Sequence, residues 1–176
     1  IADAYLAAKK AMIVYQQNEL TVDAAVLIAD IAMLSGHIGT PRDGILAIRP
    51  KNNTQGLIDM GITAGKEALD GVKALVVFGE NAEINTDALE FLAVCDTHMT
   101  ELGAKADVVI PGTGFASTSG TYTNTERRLQ LVEPAIDEGI LFANWEVAAE
   151  IAHVFEVDLD WEDTDDISDE MSDTVE

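Results

Sequence analysis

Short apolar runs separated by polar and glycine-rich segments dominate the second half of the sequence. Three of these runs, Val72–Phe78, Phe91–Cys95 and Ala106–Ile110, end at glycine, aspartate or proline. Continuous apolar runs of this length are typical of parallel strands that are buried on both faces. Short helices are predicted between them, at Thr86–Glu90 and Thr100–Lys105. The pattern therefore predicts an α/β domain with a parallel sheet.

The first half of the sequence predicts helices, one further strand and a long loop. A helix over Ala2–Lys10 precedes the apolar run Ala11–Tyr15, which is a fourth candidate strand. Thr21 is suited to cap a helix whose apolar residues recur at helical spacing and which ends at Gly36. The stretch 36–56 is irregular, but isoleucine and leucine between positions 45 and 48 indicate that part of it is buried. A long, partly buried loop favours a functional role.

The remaining pattern completes the predicted organisation. Residues 114–132 are rich in β-branched side chains and predict a loop followed by a strand or a hairpin. Asn144 is suited to cap a last helix over Trp145–Phe155. We therefore predict one α/β domain over residues 1–155, with a Rossmann-like sheet of about four parallel strands, helices on both faces and a small β segment.

The composition is strongly acidic and includes a single cysteine. Ten lysines and arginines stand against 32 aspartates and glutamates, a formal net charge of -22. A general nucleic-acid binder is excluded, because neutralising phosphates requires clustered cations. The one thiol, Cys95, cannot form an intramolecular disulfide or a multi-cysteine metal site, and it fits a cytoplasmic protein. No apolar run is long enough to span a membrane, and the chain begins without Met, so we expect a piece of a longer protein.

The acidic charge is concentrated at the C-terminal end, whereas the cations cluster in two loops. Residues 156–176 contain eleven acidic residues and no basic one, with few apolar side chains, so we predict a disordered tail. A docking strip for a basic partner is the alternative. Arg42, Arg49 and Lys51 fall in one loop and the pair 127–128 in another. This clustering favours anion binding over a purely solubilising role.

Polar and glycine residues also follow the predicted strands, at 16–17, 79–81, 96–97 and 111–112. Ligands of open parallel sheets bind beyond the carboxyl ends of the strands, so this edge could hold a nucleotide-like ligand, with arginines on its phosphates. Any α/β domain places glycine and polar residues at its strand ends, however. The pattern alone leaves both interpretations open.

Several segments in series resemble one family. They are 35–44 (SGHIGTPRDG), 49–61 (RPKNNTQGLIDMG), 78–81 (FGEN), 100–101 (TE), 106–111 (ADVVIP) and 120–128 (GTYTNTERR). In order and spacing they resemble the molybdopterin oxidoreductases over about residues 5–155. The similarity is to formate dehydrogenase alpha subunits especially, and also to the large iron–sulfur subunit of NADH dehydrogenase.

The resemblance implies a bis-molybdopterin guanine dinucleotide that holds molybdenum or tungsten and is shared with regions outside this chain. Arg49 stands where formate dehydrogenases have an arginine that orients the formate carboxylate, a role that suits a forked, permanently charged guanidinium. The implied cofactor-binding residues are Asn52, Asn53, Gln55, Gly56, Gly79, Glu80, Asn81, Asp96, Thr100, Glu101 and Arg128. No metal ligand is expected here, because the family's metal ligand and iron–sulfur cysteines lie upstream of this span. Cys95 is then a small buried hydrophobe, and His37, where the family has asparagine, is a loop residue.

The function that the resemblance implies is oxidation of formate to carbon dioxide. Electrons would leave through iron–sulfur clusters, in the upstream region or in partner subunits, toward NADH- or ferredoxin-linked subunits. This span alone is expected to be inactive, since the cofactor supplies the redox chemistry and the protein orients and tunes it.

The sequence also departs from the family pattern, which supports an alternative. Pro50 and Lys51 replace the glycine and glutamine that follow the arginine, Ala82 replaces the proline after 79–81, and Leu102 replaces a threonine. The alternative is a degenerate, cofactor-free module of an NADH dehydrogenase-like large subunit, kept for subunit assembly.

Overall fold

The computed structural model describes residues 1–63, 65–137, 139 and 141–174. The helices and strands follow one another along the chain in the order α1 (Ala2–Ala7), β1 (Met12–Gln16), α2 (Val22–Leu34), β2 (Gly44–Ile48), α3 (Thr54–Asp59), β3 (Ala74–Phe78), β4 (Phe91–Asp96), β5 (Val108–Pro111), β6 (Gly120–Thr123), β7 (Leu129–Val132), α4 (Asn144–Val154) and α5 (Thr164–Thr174). The chain forms two compact units, Ile1–Gly61 with Tyr122–Gln130, and Ile62–Thr121 with the chain from Leu131 onward.

The first unit contains a two-stranded parallel sheet. Strand β1 pairs with β2, from Met12 beside Gly44 to Gln16 beside Ile48. The connection is α2, whose N-terminus is capped as predicted, since the Ala24 N–H donates to Thr21 Oγ1 at 3.3 Å. Strand β2 lies inside the stretch that the sequence pattern assigned to an irregular loop, so that assignment is corrected. Ile45 and Leu46 are half-buried and Ile48 is exposed, so the burial predicted for these residues is only partly observed.

The second unit is built around a three-stranded parallel sheet in the order β3–β4–β5. Central strand β4 is the most buried, with Val94 and Cys95 fully inaccessible to solvent. Its side chains form a small core with Leu102. No helix forms at 86–90, where the chain makes only a turn, and the helix predicted at 100–105 is reduced to a 3₁₀ turn at Gly103–Lys105. Both segments are too short to offset the cost of helix nucleation.

The α/β class with parallel sheets is therefore confirmed, while the expected single sheet of about four strands is corrected. The first predicted strand pairs with β2 in a sheet of its own and not with the later three. The reason is that β2, unrecognised in the sequence, supplies it with a partner. A two-stranded and a three-stranded parallel sheet take the place of one four-stranded sheet.

The remaining elements follow the predicted order. Strands β6 and β7 pair around the connection 124–128, as the β-branched pattern predicted. Helix α4 begins at Asn144, one residue earlier than expected, and the Glu146 carboxylate accepts the Ala143 N–H at 2.7 Å. Helix α5 lies in the acidic segment and buries none of its described residues; the disorder of 156–176 stays a prediction. Within the described ranges, no helix has the length and apolar character needed to cross a membrane.

Candidate functional site

Arg49 follows β2 directly, and two glutamines hold its guanidinium group. Its Nε donates to Gln55 Oε1 at 3.1 Å, and its Nη1 donates to Gln17 Oε1 at 2.6 Å. Gln17 follows β1 and Gln55 lies in α3, so the parallel pairing of β1 and β2 brings the two strand ends together at this point. Both acceptors are neutral amide oxygens. They fix the guanidinium in place without neutralising its positive charge.

The same contacts extend through α3 to the turn between β6 and β7. Gln55 is buried, and its Nε2 donates to Asp59 Oδ1 at 2.8 Å. The same oxygen accepts from Arg127 Nη2 at 2.7 Å. Residues 55 and 59 are one helical turn apart and therefore share a face of α3. Two of the predicted site residues, Arg49 and Gln55, are in direct contact as a result.

Asn53 and Gly56 form a second contact between α3 and strand β6. Asn53 Oδ1 accepts the Thr123 N–H at 2.8 Å. A Cβ atom at Gly56 would lie 2.4 Å from that Oδ1, so any larger residue would force the Asn53 amide to move from its place against β6. Asn53 and Gly56 together therefore hold α3 against β6. The sequence motif had suggested only that each of them contacts the cofactor.

Asn52 and Arg128 are the predicted site residues of the first unit that lie outside this set of contacts. Both are exposed. Arg128 makes an open surface ion pair, with Nε 3.6 Å from Glu126 Oε2. Exposed ion pairs of this kind contribute little to stability, so the Arg128 guanidinium is available to an anion.

In the second unit, Gly79 and Asp96 lie at the carboxyl ends of β3 and β4. The Gly79 N–H donates to the Cys95 carbonyl at 2.8 Å, and its φ of 59° is a left-handed conformation that favours glycine. Asp96 Oδ1 accepts the Thr97 N–H at 2.7 Å, which leaves Oδ2 facing no protein donor among the described residues. Parallel strands in register bring these two predicted residues to one edge of the sheet.

Asn81 and Glu101 line one small cavity of about 380 Å³ in the second unit, and Thr100 directly precedes Glu101 in the chain. The Leu102 N–H donates to Asn81 Oδ1 at 3.4 Å, and the Gly103 N–H donates to Thr100 Oγ1 at 3.0 Å. The cavity is lined by Asn81, Ala82, Glu83, Ile84, Glu101, Leu102 and Lys105. Glu80 is exposed next to Asn81. The motif at 79–81 and the motif at 100–101 are thus neighbours in the fold.

Cys95 and His37 are both buried. Burial raises the pKa of the Cys95 thiol, and the neighbouring Asp96 carboxylate raises it further, so the thiol is a poor nucleophile. Its burial agrees with the predicted hydrophobic role. His37 is only 4% exposed and contacts Asp43 and the Tyr5 carbonyl at 3.1 and 2.9 Å. The prediction of a loop residue is correct for its backbone, but its side chain is a packed, hydrogen-bonded group.

Each unit offers polar groups of its own to a ligand. In the second unit, the Asp96 carboxylate oxygen that faces no protein donor among the described residues is an acceptor for N–H groups. In the first unit, Arg128 is an exposed cation of the kind that phosphates require. The acidic residues Glu80, Asp96 and Glu101, at the ends of β3 and β4, suit a base or a ribose better than a phosphate. In the part of the chain that the structure describes, no group of three or more His, Cys, Asp or Glu is arranged to hold a metal ion.

Three residues of this arrangement were missed as site residues by the sequence motifs. Gln17 was recognised only as a polar residue after a strand, and Arg127 only as part of a cationic pair. Asp59 carried a signal that could have been used, because its spacing of four from Gln55 places both on one helical face. Gln17 and Arg127 are distant in sequence from Arg49, so only the fold reveals their connection to it.

The sequence matches one protein family over almost its whole length. Residues 1–154 match the family described as molybdopterin oxidoreductase. The match covers most of the chain, so the chain belongs to the molybdopterin oxidoreductase family. A molybdopterin cofactor with molybdenum or tungsten is characteristic of that family.

Individual relatives are alpha subunits and enzymes of formate metabolism. The chain is 30% identical to F420-dependent formate dehydrogenase 1 subunit alpha of Methanococcus maripaludis over 169 residues, 70% of this chain and 25% of the relative. It is 29% identical to F420-dependent formate dehydrogenase subunit alpha of Methanocaldococcus jannaschii, covering 86% of this chain and 30% of the relative. Identity to formate dehydrogenase H of Escherichia coli is 27%, covering 85% and 28%. The chain thus spans less than a third of the length of these relatives.

Proposed function

We propose that this chain is the cofactor-binding part of a molybdenum- or tungsten-dependent oxidoreductase that oxidises formate to carbon dioxide. The observation that carries the proposal is the fixed guanidinium of Arg49, held by Gln17 and Gln55. The similarity to formate dehydrogenase alpha subunits supports it.

The cofactor in this proposal is a bis-molybdopterin guanine dinucleotide, bound with regions outside this chain. Asp96, Thr100 and Glu101 would line the end of β4, where Asp96 would accept from the guanine edge. Gly79, Glu80 and Asn81 would lie by the dinucleotide at the end of the neighbouring strand β3. Asn52, Asn53, Gln55 and Gly56 would face the pterin, and Arg128 would contact a phosphate. When bound, this group supplies the two-electron redox chemistry.

The role proposed for Arg49 is to bind and orient the formate carboxylate. Two of its five N–H protons are used by the glutamines, which leaves both protons of Nη2 and one of Nη1. A guanidinium binds a carboxylate with two parallel hydrogen bonds, which adds orientation to affinity. Loss of two electrons and one proton converts formate to carbon dioxide. The electrons would pass to iron–sulfur clusters and then to an NADH- or ferredoxin-linked partner subunit, in a protein whose cytoplasmic location stays a prediction.

Replacing Arg49 tests this role in the full-length protein. We expect Arg49→Ala to lower kcat/KM for formate by about 100-fold, because a charge-assisted pair of hydrogen bonds is worth about 3 kcal/mol. Metal content should stay near that of the wild type. The control Lys73→Ala removes a cation from an exposed surface pair with Glu90 and should leave turnover unchanged. Unchanged turnover in Arg49→Ala would remove the assigned role.

A second candidate function is a structural module that binds no cofactor. The observation that favours it is the burial of Leu102, which stands where the family has threonine. The Leu102 side chain is 4% exposed and packs into the core of the second unit. The side-chain oxygen of Asn81 is engaged by the Leu102 N–H, so part of the proposed dinucleotide surface already serves the protein's own packing. Analysis of bound metal and nucleotide distinguishes the two functions.

A further inference from the structure

A continuous series of hydrogen bonds links Arg127 to Arg49 through Asp59 and Gln55. We propose that Asp59 is a positioning residue for Arg49: it fixes the orientation of the Gln55 amide, and this amide in turn fixes the guanidinium. The proposal rests on the function proposed for Arg49 and deepens it.

The first step is the orientation of Gln55. A glutamine side chain has a donor end and an acceptor end of nearly equal shape, so its neighbours decide which way it points. The Asp59 carboxylate accepts only, and at 2.8 Å from Nε2 it selects the donor end. Oε1 must then face the Arg49 Nε–H, at 3.1 Å. Gln55 is 7% exposed, so water cannot replace either partner readily.

The second step is the orientation of Asp59. Its Oδ1 accepts from both Gln55 and Arg127. The Asp59 side chain is 25% exposed, whereas that of Arg127 is 70% exposed. The pair with Arg127 is therefore of the surface type that contributes little by itself. Its effect is geometric, since it holds the carboxylate oxygen on the side where Gln55 meets it.

The third step is the effect on Arg49. With Nε held by Gln55 and Nη1 by Gln17, rotation of the guanidinium about its last side-chain bonds is restricted. Among the described residues, no acceptor contacts Nη2. The unused N–H groups therefore point in one fixed direction. Preorganisation of this kind lowers the cost of binding a carboxylate, and small misplacements of a positioning group are costly.

The test uses Asp59→Asn in the full-length enzyme. The asparagine has nearly the same shape but no charge, so the pair with Arg127 that holds the oxygen toward Gln55 is weakened. The asparagine amide can then rotate and donate to Gln55 Oε1, which allows Gln55 to turn over and present Nε2 to the Arg49 Nε–H. We expect KM for formate to rise about 10-fold, with kcat and metal content changing less than about twofold. Asp59→Glu keeps an acceptor-only group and should recover part of the loss. The matched control Glu90→Gln removes an exposed carboxylate that pairs with Lys73 and should have no effect.

A double-mutant cycle separates positioning from general stability. If Asp59 acts through Arg49, Asp59→Asn should cause no further loss of kcat/KM in a protein that already carries Arg49→Ala. A loss of similar size in both backgrounds would overturn the proposal, and so would an unchanged KM in Asp59→Asn alone.

Crystal structures of the full-length wild type and Asp59→Asn provide a readout that does not depend on activity. We expect Gln55 turned over and the Arg49 guanidinium displaced in the variant. An unmoved guanidinium would overturn the positioning role. If Arg49→Ala leaves formate turnover unchanged while the guanidinium moves as expected, the proposed function fails and the positioning claim stands.

Discussion

At the scale of single residues, the pair of His37 and Asp43 shows how a buried charge is accommodated in the first unit. The His37 ring lies between the Asp43 carboxylate and the Tyr5 carbonyl, and its plane meets the Tyr5 ring edge-on with centroids 4.8 Å apart. Asp43 Oδ1 also accepts the Ala11 N–H at 3.0 Å. The side chains of His37 and Asp43 are 5% and 6% exposed. These contacts tie helix α1 and the start of β1 to the loop before β2.

This pair predicts a specific pH dependence of stability. The Ala11 N–H, His37 and Thr40 hold the pKa of Asp43 below its ordinary value of 3.8, against the opposing effect of burial. A depressed pKa in the folded state stabilises the protein above the unfolded pKa, and the contribution is lost as pH falls through the folded pKa. We expect Asp43→Asn to reduce the free energy of unfolding near neutral pH and to weaken its decline below about pH 4. Urea unfolding of the full-length protein between pH 3 and 7 measures both.

The control for this experiment is Asp30→Asn, which removes an exposed carboxylate from α2. Asp30→Asn should leave the decline of the free energy of unfolding below pH 4 unchanged. If Asp43→Asn and the wild type lose stability in parallel below pH 4, the pair has no part in the acid response.

The sequence motifs singled out Arg49, Gln55 and Asn53 because their spacing follows a family pattern. In the structure each makes side-chain hydrogen bonds within the first unit, and their part in a cofactor site stays a prediction. They could not reveal the partners of His37, since Tyr5 is 32 residues away along the chain. Side-chain partners at such separations depend on how the elements pack. A local sequence pattern therefore predicts whether a residue is buried better than it predicts which distant side chains that residue contacts.

At the scale of elements, helix α3 and strand β6 meet through the close approach of Gly56 and Asn53. An alanine Cβ at position 56 would lie 2.4 Å from Asn53 Oδ1 and displace it from the Thr123 N–H. We expect Gly56→Ala to destabilise the full-length protein by about 1–3 kcal/mol, although alanine is the better helix former. Chemical denaturation measures the change.

Gly114→Ala is the matched control for this substitution. Among the described residues, a Cβ there would come within 4 Å only of the Thr97 Cγ2 atom, at 4.0 Å. The effect should therefore be within about 0.5 kcal/mol. Equal stability of Gly56→Ala and the wild type would show that Asn53 is free to move and that the close approach imposes no constraint.

Apolar periodicity predicted β1, α2 and the three strands of the second unit, because each is a long enough run with clear ends. It missed β2, since five residues flanked by glycine, proline and arginine are indistinguishable from a buried loop without knowledge of a partner strand. It also placed a helix at 86–90, where a few helix-compatible residues cannot form a stable turn without tertiary support. The sequence pattern therefore failed at short segments, for which tertiary contacts determine whether a strand, a helix or a turn forms.

At the scale of the whole molecule, composition and motifs were informative about class. The charge of -22 argues against nucleic acids as general partners, which stays a prediction. The series of motifs led to the molybdopterin oxidoreductase family, to which the chain belongs. The number of sheets, and which strands each contains, could not be predicted, because they depend on which strands pair in the folded protein. The chain covers 25% to 30% of the three relatives described above, so the activity of the whole protein is a matter for experiment.

The proposed function requires that the full-length protein bind a molybdopterin guanine dinucleotide with molybdenum or tungsten. The most direct measurement is elemental analysis for molybdenum and tungsten, together with nucleotide analysis after denaturation, on the full-length protein. The account predicts near-stoichiometric metal of one of these two kinds and a guanine nucleotide. Protein that is fully folded and contains neither would contradict the account and favour the cofactor-free structural module.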